Sequence, residues 1–112
     1  YQRLHDQDKA YFRASREKRF GTTLEQVVAD RDGNVGVLRQ ALEPVRATLA
    51  SQPYLGGASP LYADYAVFGT LQWARCISPT ELLADDDPVA QWRGRILDAF
   101  GGLARKAPAQ AA

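Results

Sequence analysis

Apolar residues recur along this sequence in helical steps. Val35, Leu38, Leu42, Val45 and Leu49 step by three, four, three and four, which is one face of an α-helix over 35–51. Pro44 inside it removes a backbone hydrogen bond and predicts a bend, and Gln52-Pro53 marks its end. Val89, Trp92, Ile96, Phe100 and Leu103 repeat the rhythm and predict a last helix, opened by Asp85-Asp86-Asp87-Pro88 and weakened at Gly101-Gly102. Between them, Tyr62 to Ala74 is apolar on nearly every side, interrupted only by Asp64, Thr70 and Gln72. Such a helix is expected to be buried all round. At about a dozen residues it is too short to cross a bilayer. It is therefore read as a central helix with others around it.

The remaining elements are shorter or less regular. Residues 1–20 read as a helix, with Leu4, Tyr11, Phe12 and Ser15 at roughly helical spacing and Arg16, Lys18 and Arg19 in its last turn. Gly21 stops it. Thr22-Thr23-Leu24-Glu25 has the T-x-x-E pattern of a capping box and predicts a short helix over 23–30. Asp30-Arg31-Asp32-Gly33-Asn34 reads as a turn by composition. Ser78-Pro79-Thr80-Glu81 is a second such box, expected to start a short helix through Leu82 and Leu83. Lys106 to Ala112 reads as a frayed tail. No strand-like alternation and no internal repeat occurs. The fold class is all-α, with five to six helices.

Length and composition narrow the class. The 112 residues suffice for one domain, 1–112. Apolar residues make up 46% and charged residues 24%, which suits a soluble globular protein. The net charge of +1 supplies no field to draw nucleic acid or an anionic membrane surface. Cys76 and His5 are the only residues of their kinds, so neither an internal disulfide nor a Cys-rich or His-pair metal site can be assembled. No signal peptide or membrane-spanning stretch is recognisable, and a cytoplasmic location is expected. Met is absent and the sequence opens abruptly at Tyr1. It reads as a piece of a longer protein that starts within its first helix.

Candidate chemistry is sparse. Asp64, near the start of an apolar helix, is read as a structural cap accepting free N–H groups rather than as a catalytic acid. The three acids at 85–87 lack the glycine and bidentate Glu of a calcium loop and are read as a helix cap. Gly56-Gly57 lacks the strand and lysine of a phosphate-binding loop. Arg13, Arg16 and Arg19 beside Tyr11, Phe12 and Phe20 form a weak basic and aromatic patch, read as a solvated helix end plus a packing stripe. Trp73 and Trp92 are expected in the core, and Cys76 is expected to be inert. No catalytic residue is assigned.

Certain residue strings carry a resemblance. Leu55-Gly56-Gly57, Tyr62-Ala63-Asp64-Tyr65, Phe68-Gly69 and Gln72-Trp73-Ala74-Arg75 resemble the sixth helix of glutathione S-transferases. The segment from Tyr11 to Gly21 resembles the fourth helix of the bacterial and fungal members. One departure is Leu61, where the family usually has Ser or Thr three residues before the Asp. The resemblance implies a C-terminal helical domain preceded by a thioredoxin-like domain that binds glutathione as co-substrate. It implies a small-molecule electrophile against Tyr11, Phe12, Ser15 and Arg19, a homodimer, and no metal. The alternative is a non-catalytic interaction module of the same shape, because fold does not decide function.

Overall fold

The computed structural model describes residues 1–109. The chain divides into two compact units, Tyr1–Val37 and Leu38–Ala112. Each is taken by itself.

The first unit holds α1 (Asp6–Phe20), α2 (Leu24–Val27) and the opening of α3 (Arg31–Ala41). The helix expected over 1–20 begins only at Asp6. A turn precedes it, with the Leu4 N–H donating to the Tyr1 carbonyl at 3.0 Å, and His5 is the extended N-cap. Asp6 and Asp8 in the first turn and Lys18 and Arg19 in the last match the helix dipole. Gly21 closes α1 at a φ of 70°, its N–H donating to the Glu17 carbonyl.

The capping box of α2 lies one residue later than the T-x-x-E pattern suggested. The Thr23 hydroxyl accepts from the Gln26 N–H at 3.2 Å, and the Gln26 carboxamide oxygen accepts from the Thr23 N–H at 3.3 Å. Glu25 is thereby free to take the forked Arg13 guanidinium, at 2.8 and 3.0 Å. That bond is the main reason the Glu25 carboxyl is lowered to about 2. The residues expected to form a turn at 30–34 instead start α3. The Asp30 carboxylate accepts the Gly33 N–H at 3.1 Å, so the same local chemistry caps a helix rather than reversing the chain. Neither α1 nor α2 contains a buried residue.

The second unit holds the end of α3, then α4 (Glu43–Leu49), α5 (Tyr62–Ile77) and α6 (Pro88–Gly102). Its core is Leu42, Phe68, Leu71, Leu83, Val89, Trp92, Ile96 and Leu97, with Leu38, Val45 and Leu49 packed against it. The helix expected over 35–51 is thus two helices sharing one apolar face. The break falls at Leu42, just before Pro44 in the first turn of α4. Pro44 has no N–H for the turn behind it, and the chain reopens there.

Three expectations fail in this unit. The first is the all-round burial of Tyr62–Ala74. Only Asp64, Phe68 and Leu71 of α5 are buried, while Tyr62, Tyr65, Trp73 and Ile77 are exposed. These four step by three, eight and four along α5, a second apolar stripe opposite the buried one. Trp73, expected in the core, is 67% exposed, whereas Trp92 is fully buried as expected.

The second is the short helix at 78–83. The Ser78 hydroxyl accepts from the Thr80 N–H, two residues on, at 3.2 Å. That is a Ser turn, not a cap onto Glu81, and residues 78–84 stay irregular with Leu83 buried. The third is the end of α6. Its backbone leaves the helix at Ala99, and Phe100, Gly101 and Gly102 all have positive φ. The break turns Phe100 and Leu103 outward, 76% and 71% exposed, although their spacing placed them with Trp92 and Ile96. Of the tail expected over 106–112, residues 107–109 lie outside helix; residues 110–112 lie outside the described residues.

Candidate functional site

The most constrained polar group is Asp64. It sits one turn into α5, behind a loop that closes with paired hydrogen bonds between Tyr54 and Gly57. Gly57 has a φ of 105°, and a Cβ on Gly56 would lie 2.8 Å from the Ser59 carbonyl oxygen. Both positions therefore call for glycine. The loop aims the Leu55 and Gly56 N–H groups at the Asp64 carboxylate, at 2.8 and 2.9 Å. The Leu61 N–H donates from the N-cap at 3.0 Å, and the Trp92 indole N–H donates from α6 at 2.8 Å.

Leu61, the N-cap, has no side-chain oxygen to return the bond, so only the acidic half of a capping box exists. Asp64 is completely buried. Burial is the largest single influence on its ionisation and opposes the charge. The four donors together outweigh it and hold the carboxyl below its ordinary range. With both oxygens occupied, this carboxylate is a structural tie among the loop, α5 and α6. It has no free lone pair facing solvent with which to move a proton.

A second tie escaped the sequence reading. Asp87 caps α6 as expected, accepting the Val89 N–H at 2.9 Å. It also takes Arg46 of α4 through Nε and a terminal nitrogen, at 3.0 and 2.7 Å. The guanidinium reaches the Arg39 carbonyl and Glu43 as well, both at 2.6 Å. Arg46 is the chief reason the buried Asp87 carboxyl lies below its usual range, and the Arg46 pKa rises in return. The acidic run at 85–87 signalled a cap. Nothing in it signalled a cation 41 positions away.

The residues assigned to the electrophile, Tyr11, Phe12, Ser15 and Arg19, share one side of α1, within about a third of its circumference at 100° per residue. Tyr11 is 80% exposed. Phe12 and Ser15 are half-buried and Arg19 is exposed. Phe12 is covered on one side by the Arg16 guanidinium, 5.0 Å from the ring centroid, and approached by the Tyr1 ring at 6.4 Å. Tyr11 thus presents an open ring, while the Phe12 face is already partly taken by Arg16.

The second unit contributes a separate apolar groove of about 620 Å³. Tyr65, Phe68, Ile96, Phe100 and Leu103 line it, with the Tyr65 and Phe100 rings 6.5 Å apart. Its volume lies in the range of small-molecule sites. None of the four α1 residues lines it. Sequence reasoning missed this groove because it sent Phe100 and Leu103 inward. The available signal was Gly101-Gly102, which weakens a helix at the point where the groove opens. Among the described residues no cluster of three or more His, Cys, Asp or Glu side chains could hold a metal ion, and no helix is long and apolar enough to cross a membrane.

The described residues thus form an all-α fold whose buried acids are structural and whose exposed side chains include aromatic and apolar ones. Residues 1–100 match the family model described as glutathione S-transferase, C-terminal domain. The chain belongs to that family.

Proposed function

We propose that this chain serves as the electrophile-binding helical domain of a glutathione transferase, in which a thioredoxin-like domain binds and activates glutathione. The observation that carries the reading is the family match over residues 1–100. In this division of labour the parent enzyme joins glutathione to an electrophile, or uses it to cleave one. An apolar wall beside the thiolate excludes water and holds the electrophile within reach. Tyr11, Phe12, Ser15 and Arg19 form that wall, and the exposure of Tyr11 leaves a ring free to do so.

The stripe of Tyr62, Tyr65, Trp73 and Ile77 supplies apolar area for a partnering domain or subunit. The parent acts as a homodimer in the cytoplasm. The second reading is a non-catalytic interaction module of the same shape, because fold alone does not decide function.

The test is steady-state kinetics of the parent enzyme with a chlorinated aromatic substrate. Tyr11→Ser with Phe12→Ser raises KM for the electrophile about tenfold, leaves KM for glutathione unchanged, and leaves the melting temperature within a few degrees. An unchanged electrophile KM removes α1 from the site. A parent without turnover on any electrophile favours the interaction module.

A further inference from the structure

The second unit holds a small pocket of about 220 Å³ beyond the end of α5. Arg75 from the last turn of α5 and Arg93 from the middle of α6 both line it. Ser78, Thr80 and Glu81 come from the irregular segment between those helices, over a floor that includes Leu71 and Leu82.

The two arginines differ from three others in the chain. Arg13, Arg46 and Arg105 each meet a carboxylate within 3 Å. Arg75 spends its hydrogen bonds on the Ala104 and Arg105 carbonyls, at 3.5 and 3.3 Å. The Arg93 Nε is buried with no acceptor among the described residues. A half-buried guanidinium without an anion has lost hydration and gained no counter-charge. Two of them flank one cavity here.

Among the described residues Glu81 is the only acid lining the pocket, and it is exposed. Two full positive charges outweigh that carboxylate together with the roughly half charge at the carbonyl end of α5. The pocket therefore stays net positive. The Ser78 and Thr80 hydroxyls, 3.1 Å apart, add neutral hydrogen-bonding groups on its wall.

We propose that this pocket binds the oxyanion of a small molecule, a phosphate or a carboxylate, between Arg75 and Arg93. The guanidinium geometry suits either anion, since each presents paired oxygens to a planar fork. The site is independent of the electrophile wall on α1 and stands whether or not the parent is a transferase.

The test is a titration of the 112-residue chain with sodium phosphate, and separately with sodium acetate, at constant ionic strength. Backbone amides and arginine Nε–H groups are followed by two-dimensional NMR. Saturable shifts confined to residues 75–82 and to the Arg93 Nε–H are expected, and the anion that saturates at lower concentration identifies the source. Arg93→Met weakens that affinity at least tenfold. Glu81→Gln tightens it severalfold by removing the competing carboxylate. Arg31→Met, an exposed arginine elsewhere, leaves it unchanged. Should Arg93→Met not fold, Arg93→Lys keeps the charge, loses the fork, and is still expected to weaken binding severalfold. Shifts that fail to saturate with both anions, that spread evenly over the surface cations, or that survive substitution of Arg93 overturn the proposal. So does a loss of affinity in Glu81→Gln.

Discussion

Asp64→Ala is the most direct perturbation of this fold. The substitution deletes an acceptor that serves four donors, at 2.8 to 3.0 Å, in a site with no solvent exposure. Each buried donor left without a partner costs about 1–3 kcal/mol. Water entering the space of the lost carboxylate recovers part of that for the loop N–H groups. Taking about 1 kcal/mol for each donor, the expected loss is about 3–4 kcal/mol. That is a large share of the roughly 5–15 kcal/mol that holds a domain together.

Urea unfolding followed by tryptophan fluorescence measures it, in a Trp73→Phe background so that only buried Trp92 reports. With a slope of about 1.5 kcal/mol per molar urea, the midpoint falls by about 2–3 M. Trp92→Phe removes one of the four donors, and its cost is expected to shrink sharply once Asp64 is gone. The carboxyl also sets an acid limb. Its folded pKa lies below the ordinary value, near 3.9 in an unfolded chain. The unfolded state thus takes the proton more readily. The contribution is fully present above about pH 4 and is lost as pH falls from there toward the folded pKa. Asp64→Ala flattens that limb. A midpoint moved by less than about 0.3 M, or additive effects of the Asp64 and Trp92 substitutions, would refute the four-donor account.

Two further outcomes follow from the ion pairs. Arg46→Met strands the buried Asp87 carboxylate and lowers stability by about 2–4 kcal/mol; adding Asp87→Asn restores part of it, and urea midpoints of the single and double variants give the comparison. Glu25 titrates near pH 2 by side-chain carboxyl NMR and returns to about 4.3 in Arg13→Met, whereas a Glu25 that titrates normally in the unsubstituted chain would show that the fork is not held in solution.

How much of this was legible depends on what each signal measures. Periodicity reports which residues share a helix face. On that it served well: Leu38, Leu42, Val45 and Leu49 do line one face, as do Val89, Trp92 and Ile96. It does not report what arrives to cover a face. Tyr62, Tyr65, Trp73 and Ile77 fall on their own stripe, yet only the opposite side of α5 is buried. Local motifs have the reverse weakness. Ser78-Pro79-Thr80-Glu81 can cap a helix or close a Ser turn, and only an amphipathic run after it would select the helix. Ala84 and Asp85 supply none. Asp64 was legible because a carboxylate in an apolar run has to be satisfied. Its Trp92 donor, 28 positions away, and the Arg46–Asp87 pair were not, since no local pattern encodes a long-range partner.

The same contrast separates the two units by role. In residues 38–109 buried carboxylates tie loops and helices to a core built around Trp92. A recognition surface there has to lie outside that network, as the exposed stripe of α5 and the groove beside Phe100 do. In residues 1–37 the helices bury no side chain. Tyr11 there makes no structural demand that a substitution would violate. An aromatic residue placed at 80% exposure on such a helix gains nothing from folding. On the proposed transferase reading, substitution of Tyr11 is expected to change which electrophile binds without unsettling the core.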